Sequence, residues 1–401
     1  MRVELALPPS KRDLRLDLFR GLANWAMFLG HVPSSVLAWF SFRNYGFSDG
    51  ADLFVFISGY TSALVFGRRM LEGGFTFGTT RLLRRVWQIY VAHLLLLVFY
   101  LASVHFLSDR FNAPDFIDRF NVGPLLNAPV ETITQGLLLR YKPLNLDVLP
   151  LYVVLMGAFP PVLWLMLRHR NWGMLGSVLL YFAARQFGWN LPSYPSGVWY
   201  FNPFAWQLLF VLGAWLALGG ANTLHFLVRS RTVLVFGLAY LLFAVVMTLA
   251  AQIPALNLFP DVLFKAFNPN DKTNLAPYRF LHLAILIILA ARFIPIDTPG
   301  LQAAIWRPLV KCGQQSLEVF SVGIYLSFIG YFVLATTSNG IFVQLLVGTA
   351  GIAIMTAVAY YRSWSKRVEK SAHAVHSTAE KPSLPTREFL EPAEKAVAGL
   401  V

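Results

Sequence analysis

Residues 232–252 read TVLVFGLAYLLFAVVMTLAAQ, twenty-one positions without a formal charge, preceded by Arg229 and Arg231. At about 1.5 Å of rise per residue, a helix of this length crosses the ~30 Å hydrocarbon core of a bilayer. Comparable runs recur along the chain. Their pattern predicts membrane spans at 21–40, 51–68, 86–107, 148–168, 173–188, 204–221, 232–252, 277–295, 315–335 and 341–361. Composition points the same way: 56% of residues are hydrophobic and 13% charged, against roughly 25% charge in a soluble domain. A water-soluble chain of this size could not hide so much apolar surface. The expected fold is an all-α, polytopic helical bundle with about ten transmembrane helices.

Orientation follows from the basic residues, which favour cytoplasmic loops. With the N-terminus inside, 24 of the 33 Lys and Arg fall on the cytoplasmic side and seven on the outer side, while Arg185 and Arg279 lie within spans. Both termini are therefore expected in the cytoplasm. The net charge of +13 is spread over short loops rather than gathered on one face, which argues against nucleic acid as a partner. The single cysteine, Cys312, excludes an intramolecular disulfide and a cysteine-based zinc cluster. No metal site is expected. The first apolar run, 22–40, is long for a signal h-region and reads as a retained helix. No internal repeat of the secondary-transporter kind is evident. The expected organisation is a transmembrane domain over 1–362 and a flexible cytoplasmic tail over 363–401.

Ionisable groups inside membrane spans are costly and mark functional candidates. Here they are His31, Asp52, His93, Arg185, Arg279, His282 and Glu318. His31 lies ten residues after Gly21, roughly 15 Å along a helix, which puts it near the bilayer middle. A neutral imidazole there can take a proton from a hydroxyl nucleophile. The alternative is a histidine that hydrogen-bonds between helices for packing. Arg279 and His282 are one turn apart and share a face; Glu318 gives the ninth span a polar inner end. Either group can equally be an interhelical ion pair.

Two further clusters lie outside the apolar runs. Arg81, Arg84 and Arg85 form an R-x-x-R-R run before the third span, and guanidinium forks match phosphate oxygens. Topology and anionic lipid account for such residues equally well. On the outer side, Trp199 and Tyr200 stand in an aromatic, amide-rich segment suited to sugar rings, although interfacial aromatic belts look the same.

At these residues the sequence resembles the acyltransferase-3 superfamily, and within it the OpgC branch. The resemblance begins with Arg12-Asp13-Leu14-Arg15-Leu16-Asp17-Leu18-Phe19-Arg20-Gly21, followed by His31. It continues through Phe42–Asp49, Phe54–Tyr60, Leu146–Tyr152, Trp199–Phe210, Asp271–Leu275 and Cys312–Phe320, covering about 11–362. Gly30 departs from the pattern, which has an acidic residue before the histidine; if that acid orients the imidazole in relatives, another residue must do so here.

The resemblance implies an acyltransferase of the bacterial inner membrane that succinylates osmoregulated periplasmic glucans. Succinyl-CoA is the implied acyl donor and the glucan the acceptor, with no bound cofactor and the bilayer as surroundings. It implies a catalytic His31 and donor handling by Arg81 and Arg84. Arg20 and Arg85 extend the same basic face, and Arg279 is a candidate for the free carboxylate of a succinyl group. An enzyme of the same fold with another envelope glycan as acceptor, and a non-enzymatic glycan or anion transporter, are the competing readings.

Overall fold

The computed structural model describes residues 12–379 apart from Ser34 and Asp297, with the backbone alone at 370 and 372–379. The basic residues expected inside at Arg2 and Lys11, and the tail from 380 onward, lie outside the described residues. The described residues form two compact units, one as far as Ala359 and one from Tyr360 onward.

Among the described residues the principal helices are α1 Leu14–Gly30, α2 Gly50–Arg110, α3 Val148–Phe187, α4 Pro203–Thr223, α5 Arg231–Gln252, α6 Pro277–Phe293, α7 Arg307–Gln314, α8 Ser316–Thr336 and α9 Ile341–Ala379. Among the described residues, six helices are long and apolar enough to cross a membrane: α2, α3, α4, α5, α8 and the part of α9 up to Glu369. The chain is a multi-pass membrane protein.

Two of the six are double. Helix α2 runs for 61 residues and is interrupted at Gly74, whose φ of 80° is accessible to glycine at no steric cost. Helix α3 is interrupted at His169. The interval 69–85 between the second and third expected spans is thus helical on both sides of Gly74, and Arg81, Arg84 and Arg85 stand on a helix rather than before one. Likewise the expected tail is helical from 363 as far as Ala379.

The first expected span needs a larger correction. Helix α1 begins at Leu14 and stops at Gly30; a short 3-10 helix, Val36–Phe40, follows separately. The cause is local: proline at 33 disfavours helical geometry at Val32, and the poor helix former Gly30 precedes it. His31 is the C-cap, its backbone N–H donating to Met27 O at 3.0 Å and Phe28 O at 3.2 Å. It sits at the end of α1, roughly 25 Å from Leu14, and not at mid-helix as the sequence suggested.

Helix α2 packs along α3 and α4, α3 along α4, and α1 along α7 and α8. The α2–α4 crossing is close because glycine faces backbone on both sides. A Cβ at Gly59 would strike the Phe210 carbonyl, and one at Gly213 the Phe56 carbonyl. Without a hydrophobic force between helices in lipid, such small-residue contacts let backbones approach and gain dispersion. The C-terminus of α1, the N-termini of α2, α3, α4 and α6, and the long connections 111–147, 188–202 and 253–276 meet at one end, the loop end. Arg20, Arg85 and Glu318 lie near one another away from it, at the arginine end.

Candidate active site

A cavity of about 440 Å³ opens at the loop end, a volume suited to a small ligand. His31 lines it from the end of α1, Asp49 from the start of α2, Asp147 from the start of α3, and Tyr200 and Lys272 from the loops. Arg43, Arg119 and Lys142 complete its charged wall. Residues from six separate stretches, with His31 and Lys272 lying 241 positions apart in sequence, therefore meet in one place.

The start of α2 shows how the local sequence builds this wall. Asp49 is the N-cap and accepts the Ala51 N–H at 2.8 Å, while the Asp52 carboxylate accepts the Asp49 N–H at 2.8 Å. This reciprocal capping box satisfies amides that the helix leaves unpaired. The same carboxylates meet two cations. Lys272 Nζ reaches Asp49 at 2.5 Å, and Arg279 Nη2 reaches Asp52 at 2.5 Å and Asp49 at 3.5 Å. Burial on its own would push the Asp49 carboxyl up; Lys272, and then Arg279, outweigh it and hold the group below the usual carboxylate range. Two acids and two cations balance in this network, Asp49 and Lys272 within the cavity wall and Asp52 and Arg279 buried next to them.

That network decides the place of Arg279. Its guanidinium is 3% exposed and committed to Asp52 and Asp49, so the expectation that it holds an acyl carboxylate is replaced by an interhelical ion pair. His282 is likewise enclosed: Nδ1 lies 2.7 Å from Ser48 Oγ, and a Cβ at Gly46 would strike the ring. Arg185, near the end of α3, ties that helix to the 271–274 loop through Asp271 at 3.3 Å and the Asn274 carbonyl at 2.9 Å.

The two outer aromatics separate. Tyr200 is 49% exposed and lines the cavity. Trp199 is 3% exposed, and the Lys142 ammonium sits 3.9 Å from its ring centroid; its face is already covered and cannot receive a sugar.

Around His31 the imidazole Nδ1 is buried, and among the described residues it has no hydrogen-bond partner. A Cβ at Gly30 would come within 3.0 Å of Ser41 Oγ, so the loop after α1 packs tightly against this position. The carboxylates that share the cavity with His31 are Asp49 and Asp147. Burial pushes the Asp147 carboxyl up to about 6, opposed by Lys142 and then Lys272, and lowers the Lys142 amine to about 8, opposed by Asp147.

The other candidates occupy the arginine end. Arg20 Nη2 donates to Thr61 Oγ1 at 2.9 Å, fixing α1 to α2, and lies within electrostatic reach of Arg85. Arg85 donates to Gln88 at 3.1 Å and lies within reach of Glu318. Arg81 and Arg84 are exposed, Arg81 with its guanidinium 5.4 Å from the Phe77 ring centroid. Arg20 and His31, eleven residues apart on or just past α1, are separated by roughly 16 Å along its axis. The structure therefore divides the expected site in two, a basic end and a histidine-lined cavity.

A family model described as "OpgC protein" matches residues 12–367, which take in both ends. The chain belongs to the OpgC family. No curated protein and no solved structure matches it. OpgC membership together with the membrane-length helices marks the chain as a membrane acyltransferase. Sequence reading missed Lys142, Asp147 and Asp49 as members of the site. Lys142 appeared as one of seven outer basic residues, and nothing periodic distinguishes it in a long irregular connection.

Proposed function

We propose that the protein transfers a succinyl group from succinyl-CoA, bound at the arginine end, to a hydroxyl of an osmoregulated periplasmic glucan that enters the cavity at the loop end. The observation that carries this reading is the meeting of His31, whose Nδ1 has no hydrogen-bond partner among the described residues, with an open cavity lined by charged side chains in an OpgC-family chain. In this reading both termini are cytoplasmic, ten segments cross the inner membrane of a bacterium, and the acyltransferase-3 superfamily is the wider kin.

The chemistry is one acyl exchange. The His31 imidazole takes the proton of the attacking hydroxyl; the oxygen forms a C–O bond to the thioester carbonyl, and the C–S bond breaks. The proton on His31 passes to the leaving thiolate, so succinyl ester and CoA thiol are the products. If His31 itself carries the acyl group first, the overall balance is the same.

Arg81, Arg84 and Arg85, with Arg20 nearby, suit the CoA phosphates, because phosphate oxygens accept charge-assisted hydrogen bonds from guanidinium groups. Arg81→Ala and Arg84→Ala are each expected to raise the KM for succinyl-CoA roughly tenfold or more, a hydrogen bond to a charged group being worth ~1.5–3 kcal/mol. The KM for glucan should stay within about threefold. Radiolabelled succinyl-CoA and purified protein provide the measurement. Equal loss at every donor concentration, with less protein in the membrane, would leave these arginines a topological role only.

A further inference from the structure

Lys142 is a buried cation that forms no ion pair among the described residues. It is 7% exposed and lines the His31 cavity. Its ammonium makes one long hydrogen bond, to the Leu139 carbonyl at 3.3 Å, and rests on the Trp199 ring. Among the described residues no carboxylate lies within ion-pair distance of it, although Asp147 lines the same cavity. A lysine has three donors, and a desolvated charge left with one weak hydrogen bond and a ring face is costly unless something else pairs with it. The other charges nearby do not supply that pairing. Lys272 and Arg279 are taken up by Asp49 and Asp52, and Arg43 and Arg119 are themselves basic. After the two acid–base pairs are set aside, the cavity wall holds three cations, Arg43, Arg119 and Lys142, against one acid, Asp147.

We propose that Lys142, seated on Trp199, binds the free carboxylate of the acyl group and so selects a dicarboxylic acyl donor over a neutral one. The proposal rests on the acyl-transfer reading above and deepens it. A thioester presented to His31 from the arginine end carries its acyl chain onward into the cavity, where the distal carboxylate meets the ammonium. Charge-assisted pairing in a low-dielectric pocket gives the carboxylate an advantage that a methyl terminus of equal length lacks. Arg279, one carboxylate-binding candidate in the sequence, is unavailable for this because Asp52 and Asp49 hold it.

Succinyl-CoA and butyryl-CoA have four-carbon acyl chains that differ at the far end in charge, so the pair isolates the interaction. Wild-type protein should prefer succinyl-CoA by at least about tenfold in kcat/KM. Lys142→Gln should remove at least about tenfold from succinyl transfer while leaving butyryl transfer within about threefold, and Lys142→Arg should keep the preference. Parallel loss with both donors in Lys142→Gln, or a wild-type protein indifferent to the carboxylate, would overturn the proposal. A second readout is independent of turnover. Modification of Lys142 by an amine-acylating reagent, followed by peptide mass mapping, should be slowed by free succinate and not by butyrate. If wild-type protein transfers no acyl group, the acyl-transfer reading fails, and succinate protection alone then carries the carboxylate site. Equal protection, or none, overturns it.

Discussion

Replacing His31 by glutamine is expected to lower succinyl transfer at least ~10²-fold, the usual scale for loss of a positioned general base, with membrane abundance and thermal stability near wild type. The structural cost should be small. The imidazole Nδ1 is buried and has no hydrogen-bond partner among the described residues. The cap of α1 is made by the His31 backbone N–H, which glutamine retains. A packing histidine would show the reverse pattern, a stability change with activity within a few-fold, because membrane interhelical hydrogen bonds average only ~0.6 kcal/mol and glutamine can replace one. His31→Ala should give the same loss of rate. Activity in His31→Gln within a few-fold of wild type, at equal abundance, would remove the imidazole from the chemistry.

The second large effect falls on stability. Arg279→Met should destabilise the protein by about 3–5 kcal/mol, the range seen when one partner of a buried ion pair is deleted. Asp52, fully buried, then loses its ion-pair partner, while Lys272 remains paired with Asp49. Adding Asp52→Asn should recover most of that loss, since asparagine keeps an acceptor for the Asp49 N–H and removes the stranded charge. Thermal unfolding of the detergent-solubilised protein measures both. An Arg279→Met protein as stable as wild type, with a raised KM for succinyl-CoA alone, would return Arg279 to the carboxylate-binding role.

How far the sequence could be read depended on whether the signal was local. Long apolar runs announce helices because the length that crosses a bilayer is written in consecutive residues. All ten expected spans fall at least in part on helix, from α1 to α9. The 21–40 run misled because hydropathy does not register a turn: Gly30 and Pro33 end the helix inside an apolar stretch, and His31 moves from its middle to its end. The 69–85 interval misled for the opposite reason, polar residues continuing a helix past Gly74. His31 and Tyr200 were legible as site candidates, one by its chemistry in an apolar setting and the other by its aromatic neighbours. The Asp52–Arg279 pair was not, because its partners are 227 residues apart. Lys142 was hidden similarly, since its meaning depends on Trp199 and on the lack of a nearby carboxylate, both tertiary facts.

Sided transfer tests the central claim most directly. Purified protein is reconstituted in sealed vesicles, with radiolabelled succinyl-CoA supplied only to the compartment facing the arginine end and glucan only to the opposite one. The expected result is labelled succinyl ester on the glucan with one equivalent of free CoA in the donor compartment, both lost in His31→Gln. Donor left intact, or labelled glucan formed only when donor and acceptor share a compartment, would contradict transfer across the membrane through the His31 cavity.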